Sequence, residues 1–274
     1  ITAAEHISTR TMARALEEIA GVRTTVIPVG DGANYSPARF LEDFDRYLSP
    51  DHRLVVISQV SCLDGRRLPV REATRLAHQR GVLTLVDGAQ AVGQFPVSVR
   101  EIDPDFYVGS IHKWLLGPAG LGYLYVSERQ LPEFYPCLQP RPEPAGPGQD
   151  VASLSAQNRT RLGTETMSLR IGGGYMIETF QRIGLTQVEE HIRELTAQLR
   201  AGLRRLNGFR VLSPEPWEHS SGITSLEFPG RSVERVQALI DRIWDDYRVV
   251  VKYQVDFAGI RISVAPFNSE EEVD

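Results

Sequence analysis

The stretch Ser110-Ile111-His112-Lys113-Trp114 sets a primary amine between an imidazole and an indole. The amine runs against the composition, because the 30 basic residues of the chain include only two lysines, Lys113 and Lys252. A lysine can lose its proton and condense with a carbonyl, neither of which an arginine does. Around Lys113 the residues Ile111 and Trp114-Leu115-Leu116 are apolar, a setting that desolvates an ammonium and lowers its pKa toward a nucleophilic amine. Asp87 and Gln90 close another apolar run, VLTLVDGAQ, and Asp87 lies 26 positions before Lys113. Each residue also has an ordinary reading, since an acid after a strand commonly caps a helix and most lysines are solvated surface groups.

The elements that must position these residues alternate regularly. ISTRTMARALEEIA has helical spacing and ends at Gly21; VRTTVIPV reads as a strand; SPARFLEDFDRYL opens with a Ser-Pro cap and reads as a helix. RLVVISQV is a nearly continuous apolar strand, followed by helix LPVREATRLAHQRG and strands VLTLVD, DFYVGS and LGYLYVS. This alternation predicts an α/β fold with a mostly parallel sheet flanked by helices. Ligands bind such sheets at the carboxyl ends of the strands, where Asp87, Gln90, Ser110, His112 and Lys113 all fall. Five prolines between Pro136 and Pro147 mark a surface loop, either a spacer or a lid. Helical periodicity resumes over 167–206, and strands FRVLS, GITSLEF, RVVVKY and GIRISVA with a helix over 232–246 build a smaller α+β unit. The expected division is a large domain at 1–185 and a small one at 186–274.

Composition narrows the function. A net charge of −5 argues against nucleic acid or an anionic membrane as partner, and no apolar run reaches membrane-spanning length. Cys62 and Cys137 have no metal-ligand or CxxC spacing, so a reducing cytoplasm is the simplest compartment. His52, His78, His191 and His219 read as surface or structural, and no metal site is expected. GPAGLG leads into a strand rather than opening a helix, against a dinucleotide fingerprint, and IGGGYM reads as close helix packing. The chain opens at Ile1 and stops in NSEEEVD, the first turn of a helix capped by Asn268 or Ser269, so both ends read as cut.

The segment LVDGAQAVGQFPVSVREIDPDFYVGSIHKWLLGPAGLGYLYV resembles the heart of the class V aminotransferase-like enzymes. These are the fold-type I pyridoxal-phosphate (PLP) group of cysteine desulfurases, isopenicillin N epimerase-like proteins, kynureninases and carbon–sulfur lyases. The likeness extends from AEHIST through RLGTETMSLRIGGG to IRISVAPFNSEEEVD. It implies that Lys113 carries PLP as a Schiff base and moves the substrate Cα proton, that Asp87 pairs with the pyridine nitrogen, and that Gln90 bonds the phenolic oxygen. It further implies that Ser110 and His112 hold the phosphate, that His6 stacks on the ring, and that Arg261 grips the substrate α-carboxylate. Thr164 resembles the threonine that reaches the neighbouring subunit's phosphate, which implies a homodimer with shared sites. Family members also carry a long segment ahead of the stacking histidine, including a Gly-Thr loop at a helix amino end that cups the phosphate.

Departures from the family pattern bear on the reaction. Cysteine desulfurases place a nucleophilic cysteine shortly before the carboxylate arginine, and VVVKYQVDFAGIR has none. Cys62 stands near the cofactor oxygen where many relatives have asparagine; the favoured reading is a small buried thiol, with cofactor contact as the other. Lys252 is either an ordinary strand lysine or a neighbour of the substrate. The expectation is therefore a PLP enzyme acting at Cα of an amino acid or amino-acid conjugate, on the epimerase and lyase branch. The rivals are an aminotransferase proper, a desulfurase-like protein without the persulfide cysteine, and a noncatalytic binding protein on the same fold.

Overall fold

The computed structural model describes residues 1–134, 155–160, 166–254 and 256–274. The proline-rich loop and Thr164 lie outside the described residues. Helix α1 (Ile7–Ala20) is capped at its start by the His6 side chain and closed by Gly21 in the left-handed conformation. Helix α2 (Pro37–Tyr47) starts on the Ser36 cap. There follow β1 (Leu54–Ser58), α3 (Val70–His78), β2 (Leu83–Asp87), α4 (Val99–Ile102), β3 (Phe106–Ser110) and β4 (Gly122–Val126). These strands form one sheet in the order β1-β2-β3-β4, with the first three parallel and β4 antiparallel to β3.

Alternation along the strands splits the sheet into two faces. Val55, Ile57, Val86 and Tyr107 bury against Phe40 and Phe44 of α2 and Ala73 and Ala77 of α3. Leu54, Val56 and Leu85 take the other face, where with Met12 and Leu16 of α1 they line an open groove of about 950 Å³. Between α1 and α2 the expected strand VRTTVIPV is not formed. Its one ladder contact is Ile27 with Thr2, and Val22 and Val26 stay exposed, because β-branched residues make a strand only where an adjacent strand accepts their hydrogen bonds.

The second half contains α5 (Ala156–Thr160), α6 (Met167–Ile183) and α7 (Leu185–Leu203). The stretch of helical periodicity over 167–206 holds two helices, separated at Gly184, whose φ of 91° ends one helix and starts the next. Then come β5 (Arg210–Val211), β6 (Ile223–Glu227), α8 (Val233–Tyr247), β7 (Lys252–Gln254), β8 (Gly259–Ser263) and α9 (Glu270–Val273). The second sheet is antiparallel in the order β5-β6-β8-β7. Strand β7 covers only the end of the expected RVVVKY strand. Helix α9 carries a complete Ser269–Glu272 capping box. A core of Phe95, Ile111, Trp114, Leu115, Phe180, Ile192 and Ile223 joins the loops beyond β2 and β3 to α6, α7 and β6. Gly173 of α6 passes so close to Leu121 that a Cβ would lie 2.3 Å from it, which bears out the close-packing reading of IGGGYM. No described helix is long and apolar enough to cross a membrane, and no group of metal-ligating side chains occurs among the described residues.

Candidate active site

Strands β1, β2 and β3 end side by side, Ser58 being the ladder partner of Asp87 and Asp87 that of Val108. Asp87 is the last residue of β2, and its Oδ1 accepts the Ala89 N–H at 2.8 Å. Among the described residues no donor meets its other oxygen. Three residues on, the Gln90 side-chain oxygen accepts the Trp114 indole N–H at 2.8 Å, which leaves its NH2 as the end free to donate. Ser110 closes β3 half-buried, with His112 exposed beyond it.

Lys113 follows in the turn after β3. Desolvation lowers its pKa, opposed first by the charge of Asp87 and then by Cys62, while Arg261 and Lys252 add to the lowering. The acid and the two other cations are therefore near enough for their charges to act on the amine. His6 faces the same charges: burial, then Lys113 and Lys252, lower its pKa and favour the neutral ring. Its Nδ1 accepts the Ser8 N–H at 3.2 Å, which puts the proton of that neutral ring on Nε2.

The neighbouring Glu5 is a site-adjacent residue that the sequence reading missed. It is fully buried, and its carboxyl accepts from Thr2 Oγ1 (2.6 Å), Ser58 N (3.0 Å) and Ser58 Oγ (2.6 Å). Burial raises its pKa, with the hydrogen bonds pulling the other way. These bonds tie the segment carrying His6 to the end of β1, beside Asp87. The only hint in TAAEHI is an acid among small residues directly before the histidine.

From the second sheet, Arg261 on β8 reaches back across the loop after β1 and donates through Nη1 to the Cys62 carbonyl at 3.1 Å. Its Nε is buried with no partner among the described residues, and desolvation lowers its pKa. The Cys62 thiol is buried and its pKa is raised by desolvation, so it is a thiol rather than a thiolate. The four histidines read as structural are so placed: His52 bonds Thr25, His78 bonds Asp105, His191 bonds the Asn268 carbonyl, and His219 packs edge-on to Tyr35. Asp87, Lys113, His6, Cys62 and Arg261 thus lie within electrostatic reach of one another, Gln90 is joined to the lysine's turn through Trp114, and Ser110 and His112 lie at and just past the end of β3. The groove on the sheet face holds none of these groups, and the chemistry points to the strand ends.

A family model described as aminotransferase class V matches residues 1–274. An isopenicillin N epimerase from Amycolatopsis lactamdurans is 31% identical over 265 residues, covering 92% of this chain and 65% of its own. A cysteine desulfurase from an Enterobacter species is 32% identical over 295 residues, covering all of this chain and 68% of its own. The chain thus spans about two thirds of the length of these relatives. A solved structure of the protein C-DES, a variant with glycine covalently linked to the PLP cofactor, superposes with a TM-score of 0.86 over 99% of this chain and 71% of that one. At 24% identity that likeness shows the shared fold.

Proposed function

Because the chain belongs to the class V aminotransferase family, we propose that it is a PLP-dependent enzyme acting at Cα of an amino acid or amino-acid conjugate, on the epimerase and lyase branch. One observation carries the reading. A desolvated lysine lies within electrostatic reach of both a carboxylate with one oxygen free of described donors and an arginine whose buried Nε has no partner among the described residues.

The donor set fits the cofactor. Asp87 has an oxygen to accept a ring N–H, Gln90 has an NH2 to donate to a phenolic oxygen, and Ser110 and His112 stand where β3 ends to meet a phosphate. Bound there, PLP supplies an aldehyde that amines condense with and a ring that withdraws electron density from Cα. Lys113 would hold it covalently, and its amine, when free, would be the base that removes and returns the substrate Cα proton. Desolvation keeps more of that amine unprotonated near neutral pH, as a base requires. Asp87 would accept the ring N–H and favour its protonated form. His6, neutral and held by the cap of α1, offers an uncharged ring to stack on the cofactor's face. Arg261 grips the α-carboxylate in a two-pronged ion pair. Cys62, as a buried thiol, shapes the wall beside it. The absence of a cysteine between Lys252 and Arg261 supports the epimerase and lyase branch over persulfide chemistry there.

The reading includes a homodimer and a cytoplasmic setting. The dimer is supported by the exposed Met167, Ile171 and Tyr175 of α6, and the setting by the free Cys62 thiol. The decisive test is the near-visible absorbance of the protein mixed with PLP. A cofactor band is expected, and Lys113→Ala removes it; the same band in that variant refutes the assignment of Lys113.

A further inference from the structure

We propose that Lys252 is a specificity residue, a second cation beside Arg261 that selects amino-acid substrates bearing a second anionic group, a side-chain carboxylate. The inference rests on the Cα chemistry proposed above and narrows its substrate class.

Lys252 on β7 and Arg261 on β8 are direct ladder partners in an antiparallel pair, so their side chains leave the same face of the sheet with bases about 5 Å apart. The direction of that face is fixed by two contacts. Gln254, two residues along β7 and therefore on the same face as Lys252, donates to the Cys62 carbonyl at 2.9 Å, and Arg261 donates to the same carbonyl. Lys252 therefore stands on the face turned toward the crevice, at its solvent-exposed margin.

Neither cation is neutralised. Among the described residues no carboxylate pairs with Lys252 or with Arg261, whereas Arg10 pairs with Asp256 and Arg67 with Glu189. The field of Lys252 also reaches the reacting groups, since it contributes to the lowering of both His6 and Lys113. A monocarboxylate held by Arg261 leaves Lys252 idle. An acidic amino acid gives each cation its own carboxylate.

The test uses the PLP-loaded protein and reads amino-acid affinity from perturbation of the cofactor band. Two near-isosteric pairs are compared, L-glutamate with L-glutamine and L-aspartate with L-asparagine. At low salt at least one acid is expected to bind about 3- to 10-fold more tightly than its amide, a preference that shrinks as salt screens an exposed pair. Lys252→Met brings the acid to the level of the amide and leaves the amide unchanged, whereas Lys252→Arg keeps the preference. Equal affinities in the unmodified protein, or a preference that survives Lys252→Met, overturn the assignment of Lys252 alone. Failure of the unmodified protein to form any cofactor band overturns the underlying function and this proposal with it.

Discussion

A small set of charges decides the chemistry at the residue scale. Lys113 is pushed toward the free amine by burial and pulled back by Asp87, so its protonation answers to both the apolar wall and the acid. Arg261 is the better probe of binding, because its Nε is already desolvated without a partner and a substrate carboxylate would offset that cost. Arg261→Ala is expected to weaken amino-acid binding by about 2–5 kcal/mol, the range for truncating one member of a hydrogen-bonded charge pair. The cofactor band should persist, since Arg261 reaches the Cys62 carbonyl and not the residues assigned to the ring. Titrating an amino acid against that band separates the outcomes, and unchanged affinity removes Arg261 from the site.

Among the elements, what the sequence disclosed depended on whether the signal was local. Strand ends at Asp87 and Ser110 could be read because apolar runs stop there and polar residues begin. The Ser36 and Ser269 caps and the turn at Gly21 could be read because each acts within a few residues. VRTTVIPV misled because a strand is completed by its neighbours. Glu5 was invisible for the same reason, its partner Ser58 being 53 residues away. Asp105 is a further case, and a testable one. At the start of β3, on the end of the sheet away from the crevice, it accepts from His78 of α3, Thr84 N–H of β2, and Arg129 and Gln130 beyond β4. Burial alone would raise its pKa, but the bonds from Arg129, Thr84 and His78 outweigh it and hold the carboxyl at about 2, below its ordinary 3.8. A depressed carboxyl stabilises the fold above its unfolded pKa and loses that contribution as pH falls from 3.8 toward 2. The contribution is about 2 kcal/mol. Asp105→Asn should therefore lose about 2 kcal/mol at pH 7 in denaturant unfolding, with the gap to the parent protein narrowing toward pH 2. A gap that stays constant over this window would show that the charge of Asp105 contributes nothing.

Across the whole molecule, the site exists only if the two sheets keep their relative position, because Asp87 and Lys113 come from one and Arg261 from the other. The loop after β1 is held by the second sheet through Ser225 Oγ to the Leu63 carbonyl (2.6 Å), Ser221 Oγ to the Gly65 carbonyl (2.8 Å) and Gln254 to the Cys62 carbonyl. A second tie runs through Gln94, whose side chain is fully buried. Its amide donates to the Gln90 carbonyl, its oxygen accepts the Gly222 N–H at 2.8 Å just before β6, and Gln90 in turn holds Trp114 beside Lys113. Four residues from three loops thus form one continuous chain of hydrogen bonds from the lysine's turn through the acid's loop to the arginine's sheet. Gln94→Leu preserves much of the volume but leaves the Gln90 carbonyl and the Gly222 N–H buried without partners, each costing about 1–3 kcal/mol. The variant is expected to be about 2–6 kcal/mol less stable in denaturant unfolding, and to bind amino acids more weakly while still forming the cofactor band, since Asp87, Gln90 and Lys113 lie on the first sheet and its loops and the segment carrying His6 is tied to β1 through Glu5. A stable variant with parental amino-acid affinity would mean that the spacing of Lys113 and Arg261 is set by the loop after β1 alone.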